Sequence, residues 1–213
     1  YVKTKDFFEQ KEEYDVLFFG TSHVVNGVSP LELWKNYGII SYNMANSGEY
    51  MVETYYNIKL ALKYHKPQLI VLDAHGITEE ERYNPKTEYI HFTLDPYPLC
   101  YEKYEAIKDI FEGKDLLKEE IEYLFNFSLY HSRWSQIDKY DFVDREDLYI
   151  KGFKLLPQIQ DNSVPKEDFD KIEAYNKEQN INMIYLNKII EYCKENNMKI
   201  LITYLPQTAN EKY

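Results

Sequence analysis

Short apolar runs alternate with segments of helical pattern over the first 75 residues, and this alternation constrains the fold more than any other feature of the chain. Asp15-Val16-Leu17-Phe18-Phe19 is closed by Gly20 and reads as a strand buried on both faces. A loop is expected to follow it. Ser29-Pro30-Leu31-Glu32 then supplies a capping serine, a proline for the first helical position and a glutamate three residues after the cap, while Gly38 supplies the stop. Residues 39–44 predict a second strand, residues 53–65 a second helix ended by Pro67, and residues 68–73 a third strand. This order builds a mainly parallel sheet with helices on both faces.

Beyond Gly76 the pattern breaks into polar, proline-containing sequence as far as about Pro98, after which residues 101–111 and 116–127 predict helices. Residues 138–165 show no sustained period. Residues 182–197 predict an amphipathic helix whose apolar positions include Ile184, Leu186, Ile189, Ile190 and Cys193, and residues 199–205 a fourth strand directly after it. The expected fold is a three-layer α/β/α, flavodoxin-like sandwich. It occupies residues 1–213 as a single domain, with residues 77–165 inserted after the third strand. No internal repeat or low-complexity tract interrupts it.

Composition removes several function classes. Against 25 basic residues stand 36 acidic ones, a formal charge of −11, so the chain repels a phosphate backbone and nucleic acid is not an expected partner. The 22 tyrosines and three arginines (Arg82, Arg133, Arg145) fit A/T-rich codon usage better than a tyrosine-lined sugar site. Cys100 and Cys193 lack the spacing of a zinc or redox motif; free thiols are the favoured reading, with one disulfide left open. There is no run of 18 apolar residues, and residues 1–13 are charged rather than signal-like. The chain starts without methionine and stops just after a strand-like run, so it reads as part of a longer protein.

In an open parallel sheet ligands bind at the carboxyl ends of the strands, so the residues that follow each strand carry the functional signal. Gly20-Thr21-Ser22-His23 offers a hydroxyl on a tight exit turn, where a small glycine lets backbone amides approach a developing oxyanion, and Ser22 is the candidate nucleophile. Its sequence neighbour His23 is not expected to be its base. Asn43 to Gly48 follows the second strand, Asp73-Ala74-His75-Gly76 the third, and Pro206-Gln207 the fourth. Tyr130-His131-Ser132-Arg133-Trp134 in the insertion is the densest polar and aromatic cluster; Arg133 suits an anionic group and Trp134 a sugar ring, or the cluster anchors the insertion on the sheet. His65 and His91 read as surface residues. Asp73 and His75 share a strand face but have no third ligand at suitable spacing, so no metal is expected. The absence of a glycine-rich phosphate loop argues against a nucleotide cofactor.

The Gly-x-Ser-x turn after the first strand, the glycine of Asn46-Ser47-Gly48 after the second and the polar exit Asp73 to Gly76 resemble the SGNH (GDSL-like) hydrolase family. With Tyr130-His131-Ser132-Arg133-Trp134, the chain is more narrowly similar to SGNH-like proteins of Gram-positive cell envelopes, which are associated with glycan or teichoic-acid acylation. The resemblance implies a serine esterase or O-acyltransferase without a cofactor, with Ser22 as nucleophile and the Ser22 and Gly48 amides in the oxyanion hole. By alignment His75 stands where the family has an asparagine, and Thr21 where it has aspartate. The implied substrate-binding set is Thr21, His23, Asn46, Asp73, His131, Arg133 and Trp134. The family's Asp-x-x-His base has no counterpart in residues 206–213 and is expected outside residues 1–213. The resemblance also implies an extracellular or envelope location through a membrane tether outside these residues. Its expected partners are an acylated glycan or small ester and a membrane-bound acyltransferase. The alternative is a non-catalytic glycan-binding or docking module, which the altered third block favours.

Overall fold

The structure, a computed structural model, describes residues 2–9, 11–77, 87–111, 121–125, 137, 149–156 and 180–205. Four strands, β1 (Val16–Phe19), β2 (Ser41–Asn43), β3 (Leu69–Asp73) and β4 (Lys199–Thr203), pair in the order β2-β1-β3-β4, and every pair is parallel. Leu17 lies opposite Tyr42 on one side and Ile70 on the other, and Ile70 in turn lies opposite Ile200.

The helices are α1 (Val2–Glu9), α2 (Ser22–Gly27), α3 (Pro30–Tyr37), α4 (Met51–Tyr64), α5 (Thr87–Leu94), α6 (Tyr101–Ile110) and α7 (Ile181–Glu195). The connection from β1 runs outward to β2, whereas the next passes back across β1 to β3 and the last continues to β4. Right-handed crossovers with that change of direction put α2 and α3 on one face and α4 and α7 on the other. The packing follows: Leu17, Phe19, Ile70 and Leu72 cluster with Ile58, Leu60 and Ile189, while Phe18, on the opposite face of β1, packs with Val24 and Val25. The result is a flavodoxin-like α/β/α sandwich with helices inserted after β3.

The best-signalled helix forms as its sequence demands. Ser29 Oγ accepts the Glu32 N–H at 3.4 Å, Pro30 opens α3, and Gly38 ends it at φ 69° with its N–H on the Trp34 carbonyl. Three segments differ from expectation. Residues 22–27 form α2 rather than a loop, held from outside because Asn43 Nδ2 donates to the carbonyls of Val24 and Val28. Residues 2–9, read only as charged, form α1, which buries Phe7 completely against Tyr14, Tyr42 and His65. Residues 87–94, within the polar stretch, form α5.

His65 is buried, not at the surface: Nε2 meets the Phe7 carbonyl at 2.7 Å and Nδ1 the Glu12 carbonyl at 3.1 Å. His91 is likewise mostly covered, stacked on Tyr123 with ring centroids 4.3 Å apart. Residues 149–156 return from the insertion to the free edge of β2, where Lys151 accepts the Asn43 N–H and Lys154 N–H donates to Val25. Both cysteines are free; burial pushes the Cys193 thiol up to about 11. Among the described residues no helix is long and apolar enough to cross a membrane.

Candidate active site

Because all four strands are parallel, their carboxyl ends open on one side of the sheet. Gly20 holds the centre of that side. At φ 143° it adopts a backbone conformation that side chains resist, and a Cβ there would lie 2.7 Å from Asp73 Cβ and 2.8 Å from Val24 Cγ2. The exit of β1 can therefore press directly on the end of β3. Asn46 N–H donates to the Gly20 carbonyl at 3.1 Å, which stitches the turn after β2 onto the turn after β1.

Ser22 begins α2 and is half-buried, with its own carbonyl accepting from Asn26 Nδ2 at 2.9 Å. Among the described residues its hydroxyl has no hydrogen-bond partner. On either side of it Thr21 and His23 bond to each other, Thr21 Oγ1 lying 3.1 Å from His23 Nδ1. The His23 ring meets the His75 ring edge to face, with centroids 4.1 Å apart. His75, in the 3₁₀ turn that follows β3, has Nδ1 3.0 Å from the hydroxyl of Tyr204, just beyond β4. The three exits of β1, β3 and β4 thus join in one row, Thr21, His23, His75 and Tyr204. Two imidazoles lie in contact within it, and each has a hydroxyl on Nδ1.

The turn after β2 is built on buried polar contacts. Asn46 Nδ2 donates to Glu49 Oε2 at 2.7 Å, Asn57 Nδ2 approaches Glu49 Oε1 at 3.4 Å, and Lys3 Nζ reaches Asn46 Oδ1 at 3.5 Å. Desolvation pushes the Glu49 carboxyl up to about 7, against the bond from Asn46 and the Lys3 charge, and pushes the Lys3 ammonium down to about 7. The Asn46 side chain is therefore engaged with its own turn and with α1. Gly48 takes φ 68°, and its Cα lies under the Tyr89 ring of α5: a Cβ there would be 2.4 Å from the ring edge. Asp73, also buried, uses Oδ1 to accept the Leu205 N–H at 3.1 Å and so holds the exit of β4 against β3.

The expected site residues Thr21, Ser22, His23, Asn46, Gly48, Asp73 and His75 all lie at this end of the sheet, Asp73 as the last residue of β3 and Ser22 and His23 in the first turn of α2. His131, Arg133 and Trp134, like Pro206 and Gln207, lie outside the described residues. Two participants escaped the sequence reading. Tyr204 falls inside the expected fourth strand, but β4 ends at Thr203, so Tyr204 is itself a strand-exit residue. Tyr89 sits on α5, which carried no periodic signal.

No family model, curated protein or solved structure matches the chain. The groups that meet at the site are a serine hydroxyl, backbone amides on two adjoining turns, and a pair of histidines held by hydroxyls. Among the described residues no three His, Cys, Asp or Glu side chains converge as a metal site would require.

Proposed function

We propose that the chain carries the nucleophile half of a serine-dependent esterase or O-acyltransferase of SGNH type, acting on acyl groups of a cell-envelope glycan or similar polymer. The observation that carries this reading is the Asn46 N–H to Gly20 carbonyl bond, which joins the Gly48 turn to the Ser22 turn at the carboxyl ends of β1 and β2. Ser22 Oγ attacks the acyl carbonyl carbon, its proton passes to a histidine of the Asp-x-x-His kind that the resemblance assigns outside residues 1–213, and the carbonyl oxygen takes the negative charge. Amides of Ser22 and Gly48, together with the His75 imidazole, stabilise that oxyanion. Collapse breaks the ester C–O bond, the leaving alkoxide takes the proton back, and the acyl-serine passes its group to water in an esterase or to a sugar hydroxyl in a transferase. Under this reading the substrate is an acylated glycan or small ester, and the protein works at the cell envelope, tethered by a membrane segment outside these residues and partnered by a membrane-bound acyltransferase.

A second reading, a non-catalytic glycan-binding or docking module, draws on two observations. The Ser22 hydroxyl has no histidine on it among the described residues, and the third block contains His75 in place of an amide. Fluorophosphonate labelling of the full-length protein, followed by intact mass, decides between them. Stoichiometric labelling that disappears in Ser22→Ala, with ester turnover reduced about 10³-fold or more, supports the enzyme. A folded wild type that stays unlabelled supports the binding module.

A further inference from the structure

Resting on the serine reading, we propose that Tyr204 is a positioning residue that selects the tautomer of His75. The phenol oxygen lies 3.0 Å from His75 Nδ1, and the two rings meet near edge to face at 5.4 Å. A neutral imidazole carries one proton on one of its two nitrogens, and the partner of the other nitrogen decides which. When the Tyr204 O–H donates to Nδ1, the His75 proton stands on Nε2. His75 then presents an N–H donor, as a side-chain amide would, and the position can serve an oxyanion. With the proton on Nδ1, Nε2 becomes an acceptor and repels the same charge. His23 supports the arrangement from the other side: its ring lies against His75, and Thr21 Oγ1 occupies its own Nδ1. The donor role therefore depends on a hydroxyl contributed by a residue 129 positions away along the chain.

Tyr204 is about half exposed, so replacing it by phenylalanine removes the hydroxyl, keeps the ring contact and leaves folding intact. Long-range ¹H–¹⁵N spectra of the ¹⁵N-histidine-labelled full-length protein report the tautomer directly, with His75→Gln used to assign the resonance. The wild type is expected to show His75 protonated on Nε2, and Tyr204→Phe to show a mixture or the Nδ1–H form. The same variant is expected to lower kcat on a short-chain aryl ester about 10-fold with KM little changed, while fluorophosphonate still labels Ser22. A wild-type His75 protonated on Nδ1, or an unchanged tautomer in Tyr204→Phe, overturns the positioning role. A changed tautomer with unchanged kcat overturns the link to the oxyanion. Loss of labelling at Ser22 in the wild type is a separate result: it overturns the serine reading while the tautomer spectra still judge the Tyr204 contact.

Discussion

Gly48 is where one added methyl group would be felt most sharply. Its φ of 68° disfavours any side chain, and the Tyr89 ring occupies the space a Cβ would need. Gly48→Ala is expected to lose about 2–3 kcal/mol in urea unfolding, combining left-handed strain with overpacking. Pairing it with Tyr89→Ala should recover the overpacking part and leave the strain of about 1 kcal/mol, a coupling that a double-mutant cycle reads directly. Ser22, Asn46, Gly48, Asp73 and His75 all stand at or shortly after a strand end, a position that the close of an apolar run makes visible in a sequence. Tyr204 was hidden by two residues of boundary, since Leu205 extends the apolar run after the ladder has stopped at Thr203. His65 was misjudged because its partners are the carbonyls of Phe7 and Glu12, which belong to a helix and a loop distant in sequence.

Among the elements, legibility tracked how local the stabilising contacts are. The ends of α3 are held by its own Ser29 and Gly38, and its bounds were read almost to the residue. The short α2 has no side-chain cap; it depends on Asn43 of β2 and on packing over Phe18, neither of which its own six residues announce. A similar long-range device binds the helices of the other face. Asp109 of α6 accepts hydroxyl bonds of 2.6 Å from Tyr56 of α4 and from Tyr185 of α7. Burial, followed by the bond to Asp109, raises the Tyr56 phenol far above its ordinary value, so it stays a donor at all working pH values. Asp109→Ala is expected to destabilise the fold by about 2–3 kcal/mol in urea, and Tyr56→Phe or Tyr185→Phe by about 1 kcal/mol each. An effect of Asp109→Ala no larger than a surface substitution would show that the Asp109 bonds do not hold the three helices together.

For the molecule as a whole, the inserted helices are tied to one another by a titratable joint. His91 of α5 bonds to Asp95 at 2.9 Å and lies 3.5 Å from Glu122, while α5 also carries the Tyr89 ring over Gly48. Burial opposes the imidazolium, but the bond to Asp95 and the nearby Asp95 and Glu122 charges outweigh it and raise its pKa above the ordinary 6.5. A raised folded-state pKa means that the native state holds the proton more tightly than the unfolded chain. The joint therefore contributes its full stability below pH 6.5 and loses it as pH climbs through the raised value. Measured by urea midpoints below and above that window, the wild type should lose stability relative to His91→Gln as pH rises. A difference between wild type and His91→Gln that does not change with pH across the window would contradict the joint.

The parallel sandwich, the cap and stop of α3 and the strand ends next to Ser22 and Gly48 are legible in the sequence. Those signals are local: an apolar run, a capping serine or a glycine acts on residues within one turn of itself. The row of His23, His75 and Tyr204, the reach of Lys3 to the Glu49 turn and the cover of Tyr89 over Gly48 come from long-range packing. Each of those meetings joins distant stretches of chain. The row itself exists because β1, β3 and β4 lie side by side in the sheet, an adjacency set by how the crossovers pack rather than by any residue in the row.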